Sequence, residues 1–210
     1  KAPDPMDFFP YHVGDVWHSY FHPMFLGNDS LPFGYSTTRL ITNIDTVSPN
    51  TCYIHYNNNP ITRTKVDAEN QIIYIMPEDE WIPYLNLGLP LRSYWWRDSI
   101  AGEWILFKGE DTVEVFGRYV PVRTYYTYFD TPFGDTSAIL PASWEHFALG
   151  IGRIFSGSEG GEETLIGCII DGIQYGAPLD VEDEQNTLLP EDIKLQVYPN
   201  PFNPETVIRF

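Results

Sequence analysis

Between Tyr11 and Gly176 the apolar residues fall in short runs broken by Gly, Pro, Asn and Asp, and few windows of eleven residues keep a helical period. The runs predict strands over Val16–Phe21, Thr37–Val47, Thr51–Tyr56, Thr62–Asp67, Gln71–Met76, Trp104–Phe107, Thr112–Phe116, Tyr119–Phe129, Trp144–Ala148, Gly152–Phe155, Glu163–Asp171 and Ile173–Tyr175. Turn chemistry marks Asn57-Asn58-Asn59-Pro60, Asp67-Ala68-Glu69-Asn70, the flexible loop Ser156 to Gly161, and Asp171-Gly172. A short helix is expected over Glu78–Leu85 or Pro141–Ala148, the second of which reads equally as a strand. The fold class that follows is all-β and antiparallel, a sandwich or a curved-sheet half-barrel, over residues 1–177.

The pattern changes at residues 178–192. Asp180, Glu182, Asp183, Glu184, Glu191 and Asp192 occur there without a Lys or Arg, and like charges lacking apolar partners resist collapse. This is an expected solvated linker. It leads to residues 193–210, where Pro199, Pro201 and Pro204 fix φ and remove amide donors, so Tyr198–Pro204 forms an extended corner. Thr206–Phe210 then alternates Val207 and Arg209 against Ile208 and Phe210, predicting one C-terminal strand. A lone strand persists only when paired, so the reading calls for a partner in its own domain or in a neighbouring copy.

Composition supports a packed domain: 210 residues, 43% hydrophobic and 20% charged, with 16% aromatic, 18 Pro and 16 Gly, fit short strands and many turns. Twelve basic against 29 acidic side chains leave a net charge of −17, which repels nucleic acid and anionic membranes. No apolar run approaches the ~20 residues of a membrane-spanning helix. The start at Lys1-Ala2-Pro3 reads as a mature end left after a signal peptide. Cys52 and Cys168, both in apolar strands, either pair in an oxidising compartment or stay as buried thiols.

Candidate chemistry is sparse. Tyr94, Trp95, Trp96 and Trp104, with Trp81 and Tyr84 nearby, form the strongest binding candidate. Alternation sends Trp95 and Trp96 to opposite faces, one into the core and one free to stack on a sugar ring or a partner's side chain. Carboxylates cluster at Glu78-Asp79-Glu80, Asp98, Glu110-Asp111 and Asp130–Asp135, and a glycan hydrolase needs two of them about 5–10 Å apart. No hydrolase motif selects a pair. His18 and His22 share a face but lack further ligands, and Glu145-His146 points two ways on a strand. Ser156-Gly157-Ser158-Glu159-Gly160 is a poor nucleophile motif. Ca²⁺ could sit on loop oxygens at Asp130–Asp135 or on the acidic linker; no cofactor or other metal is expected.

The order Leu189-Pro190-x-x-Ile193-x-Leu195, then Tyr198-Pro199-Asn200-Pro201-Phe202-Asn203-Pro204, then Thr206-x-Ile208-x-Phe210, resembles the start of the C-terminal sorting domain of type IX (Por) secretion cargo. The resemblance implies export through the periplasm to the cell surface or exterior, with the secretion machinery as a partner. Sorting domains of that family continue through further strands, so the chain reads as a trimmed or processed form. Phe9-Pro10-Tyr11-His12-Val13-Gly14-Asp15-Val16-Trp17, Ala148–Ile154 and Ile169–Gly176 are similar to uncharacterised secreted β proteins and lipoproteins of Bacteroidetes-like bacteria. Together these imply a structural or adhesive surface module, with other copies of itself or surface glycans as its partners, without catalysis. The alternatives are a carbohydrate-binding module built on the tryptophans and a secreted glycan hydrolase.

Overall fold

The computed structural model describes residues 3–23, 34–57, 63–76, 80–98, 102–129 and 140–177, with the backbone of residues 196–197 and 208–209. The chain divides into two compact units, Lys1–Pro178 and Leu179–Phe210.

The first unit opens with a 3₁₀ turn, Pro5–Phe8, started by a capping box: Asp4 Oδ1 accepts the Met6 amide at 2.9 Å and Asp7 Oδ2 accepts the Asp4 amide at 3.2 Å. The cap drives Phe8 into the interior, where it is fully buried. Six strands follow: β1 (Val16–Pro23), β2 (Tyr35–Ser48), β3 (Thr51–Tyr56), β4 (Arg63–Asp67), β5 (Ile72–Met76) and β6 (Ile82–Asn86). Seven more follow among the described residues: β7 (Tyr94–Asp98), β8 (Glu103–Val115), β9 (Arg118–Phe129), β10 (Ser143–Ala148), β11 (Gly152–Ser158), β12 (Gly161–Ile170) and β13 (Ile173–Gly176).

Every pairing is antiparallel, in the order β6-β5-β4-β3-β2-β1-β12-β11-β10-β9-β8-β7, with β13 added to β12. Apart from β1 with β12, each neighbour in the sheet is a neighbour in sequence. The two ends of the path, β6 and β7, approach each other, so the sheet curls into a nearly closed barrel. Tight turns make this possible: Phe116-Gly117 (φ 52° and 76°) joins β8 to β9, and Asp171-Gly172 (φ 49° and 74°) joins β12 to β13. Positive φ at both central residues is the type I′ signature that matches strand twist.

Two apolar clusters hold the barrel. The larger contains Phe8, Ile41, Cys52, Ile54, Val66, Ile73, Leu85, Leu87, Ile105, Phe107, Tyr125 and Phe147. The smaller contains Val115, Val122, Ala148, Ile151, Leu165, Cys168 and Ile170, and Trp17 packs against both. Cys52 and Cys168 therefore sit buried in different clusters as free thiols, which corrects the disulfide option. Burial pushes both thiols up, Cys168 to about 12, so neither is a ready thiolate.

Other expectations change too. Ile82–Asn86 is strand β6 and not a helix, because Ile82, Pro83 and Leu85 find register partners Ile75, Tyr74 and Ile73 on β5. Ser143–Ala148 is strand. Ser156–Ser158 belongs to β11, and the loop shrinks to Glu159-Gly160. The runs Trp104–Phe107 and Thr112–Phe116 are one long strand, β8, with a bulge between Phe107 and Gly109 that hid its continuity.

In the second unit, β14 (Gln196–Val197) pairs antiparallel with β15 (Ile208–Arg209). The expected single strand thus has a partner just upstream in its own unit. The linker 178–192 and Tyr198–Pro204 lie outside the described residues, as do Glu78-Asp79 and Asp130–Asp135.

Candidate ligand cavity in the barrel

Alternation along the strands decides what faces inward. On β1 these are Trp17, Ser19 and Phe21, on β2 Tyr35, Thr37 and Arg39, and they are joined by Tyr56 of β3, Thr64 of β4 and Ile75 of β5. Together with Phe9, Pro10, Tyr84, Gly152, Arg153 and Glu163 they enclose a cavity of about 560 Å³ that opens to solvent. That volume lies inside the roughly 300–1,000 Å³ of small-molecule sites. Six aromatic rings and six polar or charged side chains share the wall, so it is neither a dry core gap nor a simple water channel.

Two bulges aim the key side chains. In the β5–β6 ladder Ile73 pairs with Leu85 and Tyr74 with Pro83, which leaves Tyr84 without a register partner. Its ring turns into the cavity. In the β10–β11 ladder His146 pairs with Phe155 and Phe147 with Arg153, so Ile154 is the extra residue and Arg153 keeps an inward direction.

Tyr84 and Arg153 meet at a buried polar knot. Arg153 donates to Glu145 Oε1 at 3.1 Å, to Glu163 Oε2 at 2.5 Å and to the Tyr84 hydroxyl at 3.4 Å. The Tyr84 hydroxyl in turn donates to Glu145, and Thr37 Oγ1 donates to Glu163 Oε1 at 3.4 Å. The side chains of Arg153, Glu145 and Glu163 retain 25%, 13% and 22% of their surface, so the knot is deep yet reachable from the cavity. Burial pushes the Tyr84 hydroxyl well above the ordinary tyrosine range, helped by Glu145, and it stays a proton donor. Burial opposes the Arg153 charge, but Tyr84, Glu145 and Glu163 together outweigh it and raise its pKa. Both carboxylates are committed to one guanidinium.

Higher on the β2 face stands Arg39, exposed, with its guanidinium 5.5 Å from the centre of the Tyr56 ring. Its register partner on β1 is Trp17, whose indole is fixed by a 2.7 Å hydrogen bond to the Ile151 carbonyl. Burial raises the Tyr56 hydroxyl, opposed by Arg39, so it remains neutral. Tyr35, 56% exposed, marks the open side.

The residues singled out from sequence lie elsewhere. Trp95 packs against the larger core cluster, whereas Trp96 is the register partner of Trp104, one residue out of phase with the buried Ile105. Trp104 is only 2% exposed, stacked on Tyr128 at 4.4 Å and edge-on to Tyr94 at 6.0 Å. At that burial it offers no free face to a sugar, so it is corrected from platform to packing residue. Tyr94 remains 45% exposed. His18 hydrogen-bonds Thr38 at 2.9 Å and His22 packs edge-on to Tyr20. Glu145 faces the knot while His146 bonds Thr124 at 2.9 Å. Among the described residues no three His, Cys, Asp or Glu side chains gather in a metal-binding group.

No family model matches the sequence, and no curated protein does. One solved structure is similar, a Bacteroides fragilis protein of YmcC-like fold thought to be exported, with 12% identity and a TM-score of 0.35. The match covers 75% of this chain and 96% of that one.

Proposed function

We propose that the chain is a non-catalytic binding module of the bacterial exterior, exported by a type IX-like route, that captures a saccharide inside its barrel. Adhesion in this reading is glycan capture. The observation that carries it is the wall of the 560 Å³ cavity, where Phe9, Trp17, Phe21, Tyr35, Tyr56 and Tyr84 alternate with Ser19, Thr37, Arg39, Thr64, Arg153 and Glu163. Sugars offer apolar ring faces and hydroxyl edges, and a site for them pairs aromatic surfaces with a few fixed hydrogen-bonding groups. An acyl chain would gain little from the polar half of this wall and would take water from Arg39, Thr37 and the knot without replacing its hydrogen bonds.

A hydrolase is the weaker reading. Glycoside hydrolysis assigns its two carboxyl groups different tasks, one as acid and one as nucleophile or base. Here Glu145 and Glu163 are held by the two arms of the same Arg153.

The test is glycan-array and calorimetric binding to the intact chain and two variants. Ser19→Trp fills the cavity from β1, and Trp96→Ala trims the other face of the sheet. Binding abolished by Ser19→Trp, with melting retained, and kept by Trp96→Ala supports the reading. The reverse pattern, or release of reducing ends from a bound glycan, rejects it.

A further inference from the structure

Arg39 differs from the deep arginine beside it. Arg153 is bracketed by two carboxylates, and Arg97 and Arg123 elsewhere in the barrel are each paired with one, Glu103 and Glu110. Arg39 lines the same cavity and has no carboxylate partner among the described residues; its neighbours are the Tyr56 ring and, across the β1–β2 ladder, Trp17. A chain with 29 acidic and 12 basic side chains has acids to spare, yet none of the described ones meets this cation.

We infer that Arg39 is the acid-recognising residue of the cavity and that its ligand is a carboxylate-bearing saccharide, a uronic-acid sugar. The inference rests on the saccharide reading above and narrows it. A guanidinium matches a planar carboxylate with two parallel N–H donors, and stacking on Tyr56 pre-orients the fork at little further entropic cost. Two residues along β2, Thr37 touches Glu163, whose carboxylate accepts hydroxyl protons. Successive inward positions of a strand lie about 7 Å apart, close to the span of one pyranose ring from its carboxylate to its opposite hydroxyls. A single uronic-acid residue thus reaches Arg39 with its acid and Glu163 with its hydroxyls while its face lies on Tyr56 or Trp17.

The experiment titrates the intact chain with a galacturonic acid trisaccharide, its methyl ester, and a sulfated oligosaccharide. The free acid is expected to bind at least about tenfold tighter than the ester, the size of one charge-assisted contact. Arg39→Gln is expected to abolish that ratio, lowering affinity for the free acid more than for the ester, and Arg39→Lys keeps part of it. Equal affinity for acid and ester, a ratio that survives Arg39→Gln, or tighter binding of the sulfated sugar overturns the inference. If only neutral glycans bind, the saccharide cavity stands and the acid assignment falls. If no saccharide binds, both fall.

Discussion

Arg153 shows how a residue can hold a cavity open. Its guanidinium ties β10, β11 and β12 through Glu145 and Glu163, and Tyr84 brings in β6. Arg153→Met is expected to destabilise by about 3 kcal/mol, because it leaves two largely buried carboxylates without their cation. Urea denaturation measures this, and adding Glu145→Gln and Glu163→Gln should restore much of the loss. Tyr125 is the opposite case: among the described residues its buried hydroxyl has no hydrogen-bond partner of good geometry, and burial, opposed by nearby Arg123, pushes its pKa up to about 12. Tyr125→Phe should change stability by less than about 0.5 kcal/mol or raise it, since an unmade hydrogen bond is lost at no cost. His146 sets a pH dependence. Burial lowers its folded pKa below the 6.5 of the unfolded chain, opposed by Glu145, so the unfolded state binds the proton more readily. Its contribution is present above pH 6.5 and lost as pH falls through the lower folded value. The slope of melting temperature between pH 7 and 5 should flatten in His146→Gln. None of these roles is readable from sequence, because each depends on which strands stand side by side.

At the scale of elements, the sequence announces strands better than it announces their interruptions. Thr51–Tyr56 was expected at the boundaries it has, and the Asp171-Gly172 turn follows directly from residue chemistry. Bulges and register are set by partners far along the chain, so the continuity of β8 and the strand β6 around Pro83 were hidden. Glycines at close approaches are similarly silent until strands are paired. A Cβ on Gly161 would lie 2.5 Å from the His22 carbonyl and 2.6 Å from the Phe21 ring, at φ 149°. Gly161→Ala should therefore cost about 2 kcal/mol by overpacking and backbone strain and, by moving Phe21, weaken ligand binding. Gly172→Ala, whose Cβ meets nothing within 4 Å, should cost less, the strain of φ 74° alone. Thermal melts of the two variants compare them directly.

For the whole molecule, the all-β class was legible from its short runs and turns, but the barrel and its interior were not. Closure depends on β1 meeting β12 across some 145 residues, and nothing in a local window encodes that pairing. The aromatic candidates were therefore sought where tryptophans are dense, at Tyr94–Trp104, while the cavity draws Trp17, Tyr35, Tyr56 and Tyr84 from four separate strands. The same topology separates the cysteines into two cores. Oxidised protein should keep both thiols: mass spectrometry after native iodoacetamide treatment at pH 8 should show no adduct, and two after denaturation. The most direct test of the barrel as a binding site is a crystal structure of the intact chain soaked with the galacturonic acid trisaccharide. The account predicts an ordered sugar between Trp17 and Tyr56 with its carboxylate on Arg39. Sugar seated on the Tyr94–Trp96 strand instead, or an empty barrel at saturating concentration, would contradict it.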